Sequence, residues 1–143
     1  MGIRTNVQVF VLCKTHSFEV LILERTPERS GYWQPVCGGA DDGEQLVEAV
    51  LRKVREETGI EHVKSIIDLK YSFTYKETKN GVLMDMQDFC FAVEVEDILD
   101  IRLSDEHEQY KWCSYTEAKE YLKWEHNLIA LERLVQKLQG RES

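Results

Sequence analysis

Two adjacent glutamates, Glu56 and Glu57, stand on a charged segment that follows a glycine pair. Neighbouring carboxylates repel each other unless solvent surrounds them or a cation lies between them. Hard ions such as Mg²⁺ take carboxylate and carbonyl oxygens from a protein and fill the rest of their shell with water and substrate phosphates. Gly38 and Gly39 have no side chains, so a backbone carbonyl can approach the same ion. These residue types indicate a metal ion that holds a polyphosphate.

The segment that carries these glutamates is predicted to be a helix. Apolar residues recur at three- and four-residue spacing across residues 46–54, and Gly59 stands where a left-handed C-terminal cap is expected. On such a helix Lys53, Glu56 and Glu57 share one face, because residues three and four apart are neighbours. The alternative interpretation is a solvated amphipathic helix with salt-bridged pairs on its surface.

The spacing of this segment resembles the box of the Nudix hydrolases, written G-x5-E-x7-R-E-U-x-E-E-x-G-U with U an aliphatic residue. The positions that agree with the box are Gly38, Glu44, Arg52, Val54, Glu56, Glu57, Gly59 and Ile60. One specified position differs, because Lys53 stands where the family has a glutamate that binds metal. The chain is therefore identified as similar to the Nudix (MutT-like) family, with one departure at the expected metal site.

The resemblance implies both a fold and a reaction. The fold is an α/β (α+β) protein, an α/β/α sandwich whose mixed sheet lies between the box helix and the C-terminal helix, in a single domain over residues 1–143. Interleaved strands and helices fit this fold without the resemblance. The reaction is metal-dependent hydrolysis of a nucleoside diphosphate joined to another group, such as a (deoxy)nucleoside triphosphate that gives monophosphate and pyrophosphate. Residues 106–112 and 124–127 also resemble the branch of dATP and dihydroneopterin triphosphate pyrophosphohydrolases.

The resemblance also implies the residues of the site and a cofactor, Mg²⁺ or Mn²⁺. The implied catalytic residues are Arg52, Glu56, Glu57 and Glu106. The implied metal ligands are Glu56, Glu57 and Glu106 together with a carbonyl of the loop at Gly38. Arg52, one turn before Glu56, would hold that carboxylate in its productive rotamer, and Glu44 would brace the loop. Substrate contacts are expected from Arg25, Trp33, Gly39, Lys53 and Asn127.

Lys53 leaves three outcomes open. It removes an anionic ligand and adds like-charge repulsion, which at about 4 Å and an effective dielectric near 20 is roughly 4 kcal/mol per charge pair before relaxation. The site can hold fewer ions and stay active, or Lys53 can grip phosphate and take over the charge of one ion. In the third outcome the domain is catalytically impaired and serves as a nucleotide-binding or interaction module. Intact Arg52, Glu56 and Glu57 favour the hydrolase.

Several residues outside the box have two interpretations. Arg25 either faces the substrate or is a surface charge. Trp33 either stacks on a base or packs on the core with its indole edge at the pocket, and packing is slightly favoured. Asp85 and Asp88 fall on opposite faces of the predicted strand at residues 82–95. One of them can point toward a pocket, although solvent exposure is the simpler expectation for both.

The rest of the pattern predicts further strands, two C-terminal helices and two turns. Strands are expected at residues 5–12, 18–24, 62–76, 82–95 and 110–113, and helices at residues 115–122 and 125–139. Thr116 is the expected cap of the first of these helices. Residues 15–17 form the expected turn between the first two strands, and the Asn80-Gly81 pair predicts a tight hairpin.

Composition narrows the possible partners. The chain has 143 residues, of which 43% are hydrophobic, and a net charge of −8, as expected for one soluble globular domain. This charge argues against a nucleic acid as partner, because phosphate backbones require clustered Lys and Arg. No apolar run or leader is evident, so a cytoplasmic monomer or homodimer without a membrane partner is expected. The four cysteines lack zinc-ligand spacing and are expected to be buried and reduced.

Overall fold

The computed structural model of the chain describes residues 3–14 and 18–140. The strands within these ranges are β1 (Ile3–Cys13), β2 (Glu19–Arg25), β3 (Trp33–Gln34), β4 (Val36–Gly39), β5 (Ser65–Lys79), β6 (Val82–Val95) and β7 (His107–Cys113). The α-helices are α1 (Leu46–Thr58), α2 (Tyr115–Tyr121) and α3 (Glu125–Gly140). The predicted turn at residues 15–17 lies outside the described residues.

The seven strands form one mixed sheet in the order β3-β2-β1-β6-β5, with β4 paired to β1 and β7 paired to β2. The β1 and β6 strands run parallel, and the other pairs are antiparallel. The β1 strand changes partner along its length, since residues 6–9 pair with β4 and residues 11–13 pair with β2. This arrangement sets Gly39 of β4 directly opposite Asn6 of β1.

Alternation along β1 supplies one row of side chains to each face of the sheet. Val7, Val9 and Val11 pack in the core beneath α1, whereas Phe10 and Leu12 pack in the core beneath α2 and α3. Successive side chains of a strand point to opposite sides, so each face receives its own helix layer. The predicted α/β/α sandwich with a mixed sheet between the box helix and the C-terminal helix is confirmed.

The box helix α1 begins and ends where its sequence predicts. It also carries one buried carboxylate. The backbone N–H of Gln45 donates to Glu48 at 3.0 Å, as part of a capping box. At the other end Gly59 adopts a φ of 81° and its N–H donates to the carbonyl of Arg55. Glu57 lies on the buried face of the helix and is 1% exposed. A charged group thus occupies a position that the periodicity assigns to the core.

Local differences from the predictions have identifiable causes. The α2 helix begins after Ser114, whose hydroxyl accepts a hydrogen bond from the N–H of Glu117, so the predicted cap at Thr116 is wrong. The β5 strand extends to the predicted Asn80-Gly81 turn, where both residues have positive φ, as a two-residue hairpin requires. Over the described ranges, no helix has the length and apolar character needed to cross a bilayer.

Candidate functional site

Arg52 joins the glycine loop to the box helix. Its guanidinium donates to the carboxylate of Glu44 at 2.8 and 2.9 Å and to the carbonyl of Gly39 at 2.8 Å. It also reaches Glu56 one turn further along the helix at 3.2 Å. The hydrogen bond from Arg52 lowers the pKa of Glu44 to about 2. The expected contacts of Arg52 with Glu56 and of Glu44 with the loop are present, while their catalytic roles stay predictions.

Lys53 lies between the two adjacent glutamates of α1. Its Nζ is 3.2 Å from Oε1 of Glu56 and 3.5 Å from Oε2 of Glu57. Burial raises the pKa of Glu57 to about 7, and the charge of Lys53 offsets part of this rise. Burial alone would lower the pKa of Lys53, but the charges of Glu57 and Glu56 raise it above its ordinary value. Lys53 and the buried Glu57 therefore support each other's charge.

The donor groups beside Lys53 fit a divalent ion in their chemistry. Both carboxylate oxygens of Glu57 are buried without a hydrogen-bond partner, which is the state expected of a carboxylate built to face a cation. Glu56, Glu57, Glu106 and a carbonyl at Gly38 are the groups that would hold the ion. In the part of the chain that the structure describes, however, no three Asp, Glu, His or Cys side chains converge on one metal position. The ammonium of Lys53 instead lies between two of the expected ligands.

A cavity of about 660 Å³ opens beside this cluster and is rich in cationic side chains. The basic residues among its lining are Arg4, Arg25, Arg29, Lys53, Lys76 and Lys79. The acidic residues among its lining are Glu77, Asp88 and Glu106. The positive excess contrasts with the net charge of −8 for the whole chain. The cavity is therefore suited to an anionic ligand within an acidic protein.

Four of the buried polar residues that line the cavity are connected by hydrogen bonds and are called here the buried polar cluster: Asn6, Gln8, Asp88 and Asn127. Asp88 accepts hydrogen bonds from Asn6 at 2.9 Å, from Gln8 at 3.4 Å and from the hydroxyl of Tyr75 at 3.1 Å. Asn127 donates through Nδ2 to Gln8 at 2.9 Å, and its Oδ1 has no partner. Asn127, which lines the cavity, thus keeps one buried acceptor without a partner.

Aromatic rings line another part of the cavity. The ring of His126 stacks on Phe73 with centroids 3.9 Å apart and planes 2° apart, and its Nδ1 lies 2.7 Å from the hydroxyl of Tyr71. Tyr32 and Trp124 meet edge to face at 5.4 Å, and Trp124 remains 49% exposed. Flat apolar surface of this kind suits the ring system of a nucleotide base.

The structure brings most of the predicted site residues together. The predicted residues that line the cavity are Arg25, Gly38, Gly39, Lys53, Glu106 and Asn127. The lining does not include Arg52, Glu56 or Glu57. Glu56 and Glu57 nevertheless contact Lys53, which is a lining residue. Trp33 is not brought to the cavity, because its ring packs edge to face on Tyr121 at 5.2 Å. Cys37 is only partly buried and lines the cavity, contrary to the expectation for the cysteines.

Sequence reasoning missed Arg4, Asn6 and Gln8, and it favoured exposure for Asp88. The missed residues alternate along β1, so their shared face of the strand was visible as polar residues at two-residue spacing. Asp88 stands directly opposite Asn6 in the parallel ladder, which places it in the same cavity. The expectation of solvent exposure is confirmed for Asp85, at 54% for its side chain, and is wrong for Asp88, at 4%.

Comparison with known proteins shows the family. A model of the NUDIX domain matches residues 2–134. The chain is 34% identical over 103 residues to an octanoyltransferase of Myxococcus xanthus, a match that covers 72% of this chain but only 28% of that protein's length. It is 30% identical over 119 residues to the asymmetrical bis(5'-nucleosyl)-tetraphosphatase of Rattus norvegicus, covering 81% of this chain and 78% of that protein.

Solved structures show the same fold. A NUDIX hydrolase from Listeria monocytogenes superimposes with a TM-score of 0.83 at 26% identity, covering 96% of each chain. The dihydroneopterin triphosphate pyrophosphohydrolase of E. coli superimposes with a TM-score of 0.77 at 24% identity, covering 92% of this chain and 94% of that one. The relatives carry several different activities in their names, so the branch within the family stays a prediction. From its box, its fold and these matches, the chain belongs to the Nudix family.

Proposed function

We propose that the chain hydrolyses the pyrophosphate bond of a nucleoside triphosphate or related small nucleotide, giving a monophosphate and pyrophosphate. The observation that carries this proposal is the cavity of about 660 Å³, in which cationic side chains and the glycine pair Gly38-Gly39 lie beside buried polar and aromatic groups. Nucleotides combine a polyphosphate tail with a flat, hydrogen-bonding base. One cavity of this size accommodates both parts.

The cationic lining is proposed to bind the phosphate chain. Arg25 is held in place because its Nε donates to the carbonyl of Arg29 at 2.7 Å and its guanidinium lies over the ring of Tyr32. Arg4 lies directly over Gly39, since a methyl group added there would come within 2.3 Å of its guanidinium. Guanidinium groups in fixed positions bind phosphate oxygens through charge-assisted hydrogen bonds. Lys53 supplies a further cation above Gly38.

The buried polar cluster and the aromatic rings are proposed to bind the head group. The unpartnered Oδ1 of Asn127 is an acceptor that an N–H group of a base would satisfy. His126 and Phe73 form a flat surface nearby on the cavity wall. The names of the tetraphosphatase and of the pyrophosphohydrolase relatives also refer to phosphate anhydrides on nucleosides or pterins. In this arrangement the head-group residues would determine specificity, and the residues around the phosphate chain would take part in the chemistry.

The reaction needs a water molecule that attacks one phosphorus while the bridging P–O bond breaks and pyrophosphate leaves. A carboxylate of the group formed by Glu56, Glu57 and Glu106 would accept the proton of the water. Mg²⁺ or Mn²⁺, when bound, would neutralise the phosphate charge that otherwise repels the nucleophile. Arg52 would act by holding Glu56 and the Gly39 carbonyl in position. Lys53 would contact phosphate from the loop side.

The proposal is tested with a nucleotide panel in the presence of Mg²⁺ or Mn²⁺, followed by detection of pyrophosphate and monophosphate. At least one nucleotide should be turned over, and Glu57→Gln should abolish most of that turnover. The matched control is Glu61→Gln, an exposed residue just beyond the helix, which should retain wild-type turnover. Unchanged turnover in Glu57→Gln would show that the proposed metal group is misassigned.

A second candidate function, nucleotide binding without cleavage, is favoured by one observation. The ammonium of Lys53 lies at 3.2 and 3.5 Å from two carboxylates that the reaction would need for metal. In that case calorimetry would detect nucleotide binding by the wild-type chain while the panel gives no product. The variant Lys53→Glu, which restores the glutamate of the box, would then turn over the nucleotide that the wild type only binds.

A further inference from the structure

The side chain of Lys53 passes directly over Gly38 and ends between two carboxylates. A methyl group added at Gly38 would lie 2.1 Å from Cε and 2.7 Å from Nζ of Lys53. The absence of a side chain at Gly38 therefore leaves room for the lysine in this position. Gly38 itself is fixed opposite Val7 in the sheet. The sequence predicts that Gly38 allows a metal ion to approach the backbone. In this structure Gly38 allows the ammonium group of Lys53 to approach it.

Glu57 has no counter-charge in contact other than this ammonium group in the described part of the chain. The carboxylate is 1% exposed and both of its oxygens lack a hydrogen-bond partner. The one ion pair that it forms in the described residues is with Lys53 at 3.5 Å. A buried carboxylate without any compensating cation is strongly unfavourable. Lys53 therefore does for Glu57, without a ligand, what a metal ion would do.

We propose that Lys53 is a tethered cation that makes divalent-metal binding depend on the nucleotide. Without nucleotide, the ammonium of Lys53 occupies the position between Glu56 and Glu57 and excludes a free divalent ion by repulsion. With nucleotide, the ammonium turns to the phosphate chain, which the cavity already presents to it. Glu57 then loses its counter-charge and Glu56 keeps, of its ion pairs in the described residues, only the one with Arg52, so both carboxylates would be open to an ion that arrives together with the phosphates.

This inference rests on the proposed function only for the identity of the ligand as a nucleotide polyphosphate. Its central claim concerns the protein without ligand, where the ammonium and a free metal ion compete for the same two carboxylates. Like charges a few ångströms apart cannot both be stable there unless a further anion joins them. Substrate phosphate is the anion that the cavity would supply.

The test is calorimetric titration of Mn²⁺ alone into the wild-type chain and into Lys53→Met and Lys53→Glu, with no nucleotide and no turnover involved. We expect Lys53→Met to bind Mn²⁺ at least about 10-fold more tightly than the wild type, and Lys53→Glu more tightly still. The matched control is Arg55→Glu, which changes net charge by the same amount as Lys53→Glu. Arg55 is exposed on the same helix, so this control should bind Mn²⁺ as the wild type does.

Each outcome decides the inference. It is overturned if the wild type binds Mn²⁺ alone as tightly as Lys53→Met, or if Arg55→Glu gains as much affinity as Lys53→Glu. Two different replacements at one position ensure that misfolding of a single variant, checked by circular dichroism, does not leave the question open. If Lys53→Met gains affinity while the nucleotide panel gives no product, the tethered cation stands and the hydrolase proposal fails. If a nucleotide is turned over while Lys53→Met gains no affinity for Mn²⁺, the hydrolase proposal stands and the tethered cation fails.

Discussion

Two polar clusters lie in or beside the cavity, and they are built in opposite ways. The first, called the box cluster, consists of Glu44, Arg52, Lys53, Glu56 and Glu57, held mainly by ion pairs along one helix and its loop. The buried polar cluster is held by hydrogen bonds between amides, a hydroxyl and one carboxylate from β1, β5, β6 and α3. One cluster consists entirely of charged groups, whereas the other holds a single charged group among buried neutral ones.

The difference indicates a division of labour. Charged groups that can exchange partners suit steps in which charge moves, such as binding a phosphate chain and activating water. Buried hydrogen bonds with fixed partners suit recognition, because a ligand that fails to satisfy them leaves a polar group unpaired. Loss of a member of the box cluster should therefore lower turnover. Loss of a member of the buried polar cluster should change stability or affinity.

The largest effect is expected from Arg52→Met in the box cluster. This change removes the hydrogen bonds to Glu44, to Glu56 and to the Gly39 carbonyl together. We expect kcat to fall about 10- to 100-fold, because the groups it positions lose their orientation. Steady-state kinetics on the best nucleotide of the panel measures this. Arg55→Met is the matched control and should retain wild-type kcat; an equal loss in both variants would contradict a positioning role.

The next largest effect is expected on stability from Asp88→Ala in the buried polar cluster. Asn6, Gln8 and Tyr75 would lose the acceptor of their hydrogen bonds inside the protein. We expect the free energy of unfolding to fall by about 2 kcal/mol, measured by urea denaturation. The control is Asp85→Ala, three residues away on the exposed face, which should stay within about 0.5 kcal/mol of the wild type. Equal losses would mean that burial at position 88 is not the cause.

A smaller effect is expected from Asn127→Leu, again in the buried polar cluster. The change removes the unpartnered buried acceptor of Asn127 and its donor to Gln8. We expect KM to rise about 5-fold with kcat within about twofold, because one hydrogen bond to the head group contributes about 1 kcal/mol to ground state and transition state alike. Gln136→Leu, at an exposed position of α3, is the control. A fall in kcat at constant KM would show instead that Asn127 acts in the chemical step.

The smallest effect is the pH dependence of Glu44. Its folded pKa is lowered to about 2 by the hydrogen bond from Arg52, whereas an unfolded carboxyl titrates near about 4.3. Its contribution to stability is therefore fully present above about pH 4.3 and is lost as the pH falls through about 2. The difference in unfolding free energy between wild type and Glu44→Gln should shrink over that window.

The box cluster could be predicted from the sequence because its contacts are local. Arg52 and Glu56 are four residues apart, and Lys53 and Glu57 are four residues apart, so the helix alone makes them neighbours. The capping Gly59 and the apolar spacing likewise allowed the ends of α1 to be predicted. The alternation of β1 and the Asn80-Gly81 turn similarly allowed the sheet and its hairpin to be predicted from local patterns.

The buried polar cluster was decided only by the tertiary structure. Asn6 and Asp88 are 82 residues apart, and Gln8 and Asn127 are 119 residues apart. Polar residues on a strand or at the start of a helix are ordinarily exposed, and nothing local marks these as partners. Likewise the sequence determined that Lys53 replaces an acidic residue, but only the packing over Gly38 decided that its ammonium lies between the two glutamates. Local spacing specifies neighbours within an element, whereas strand order and register specify which distant groups must share a buried space.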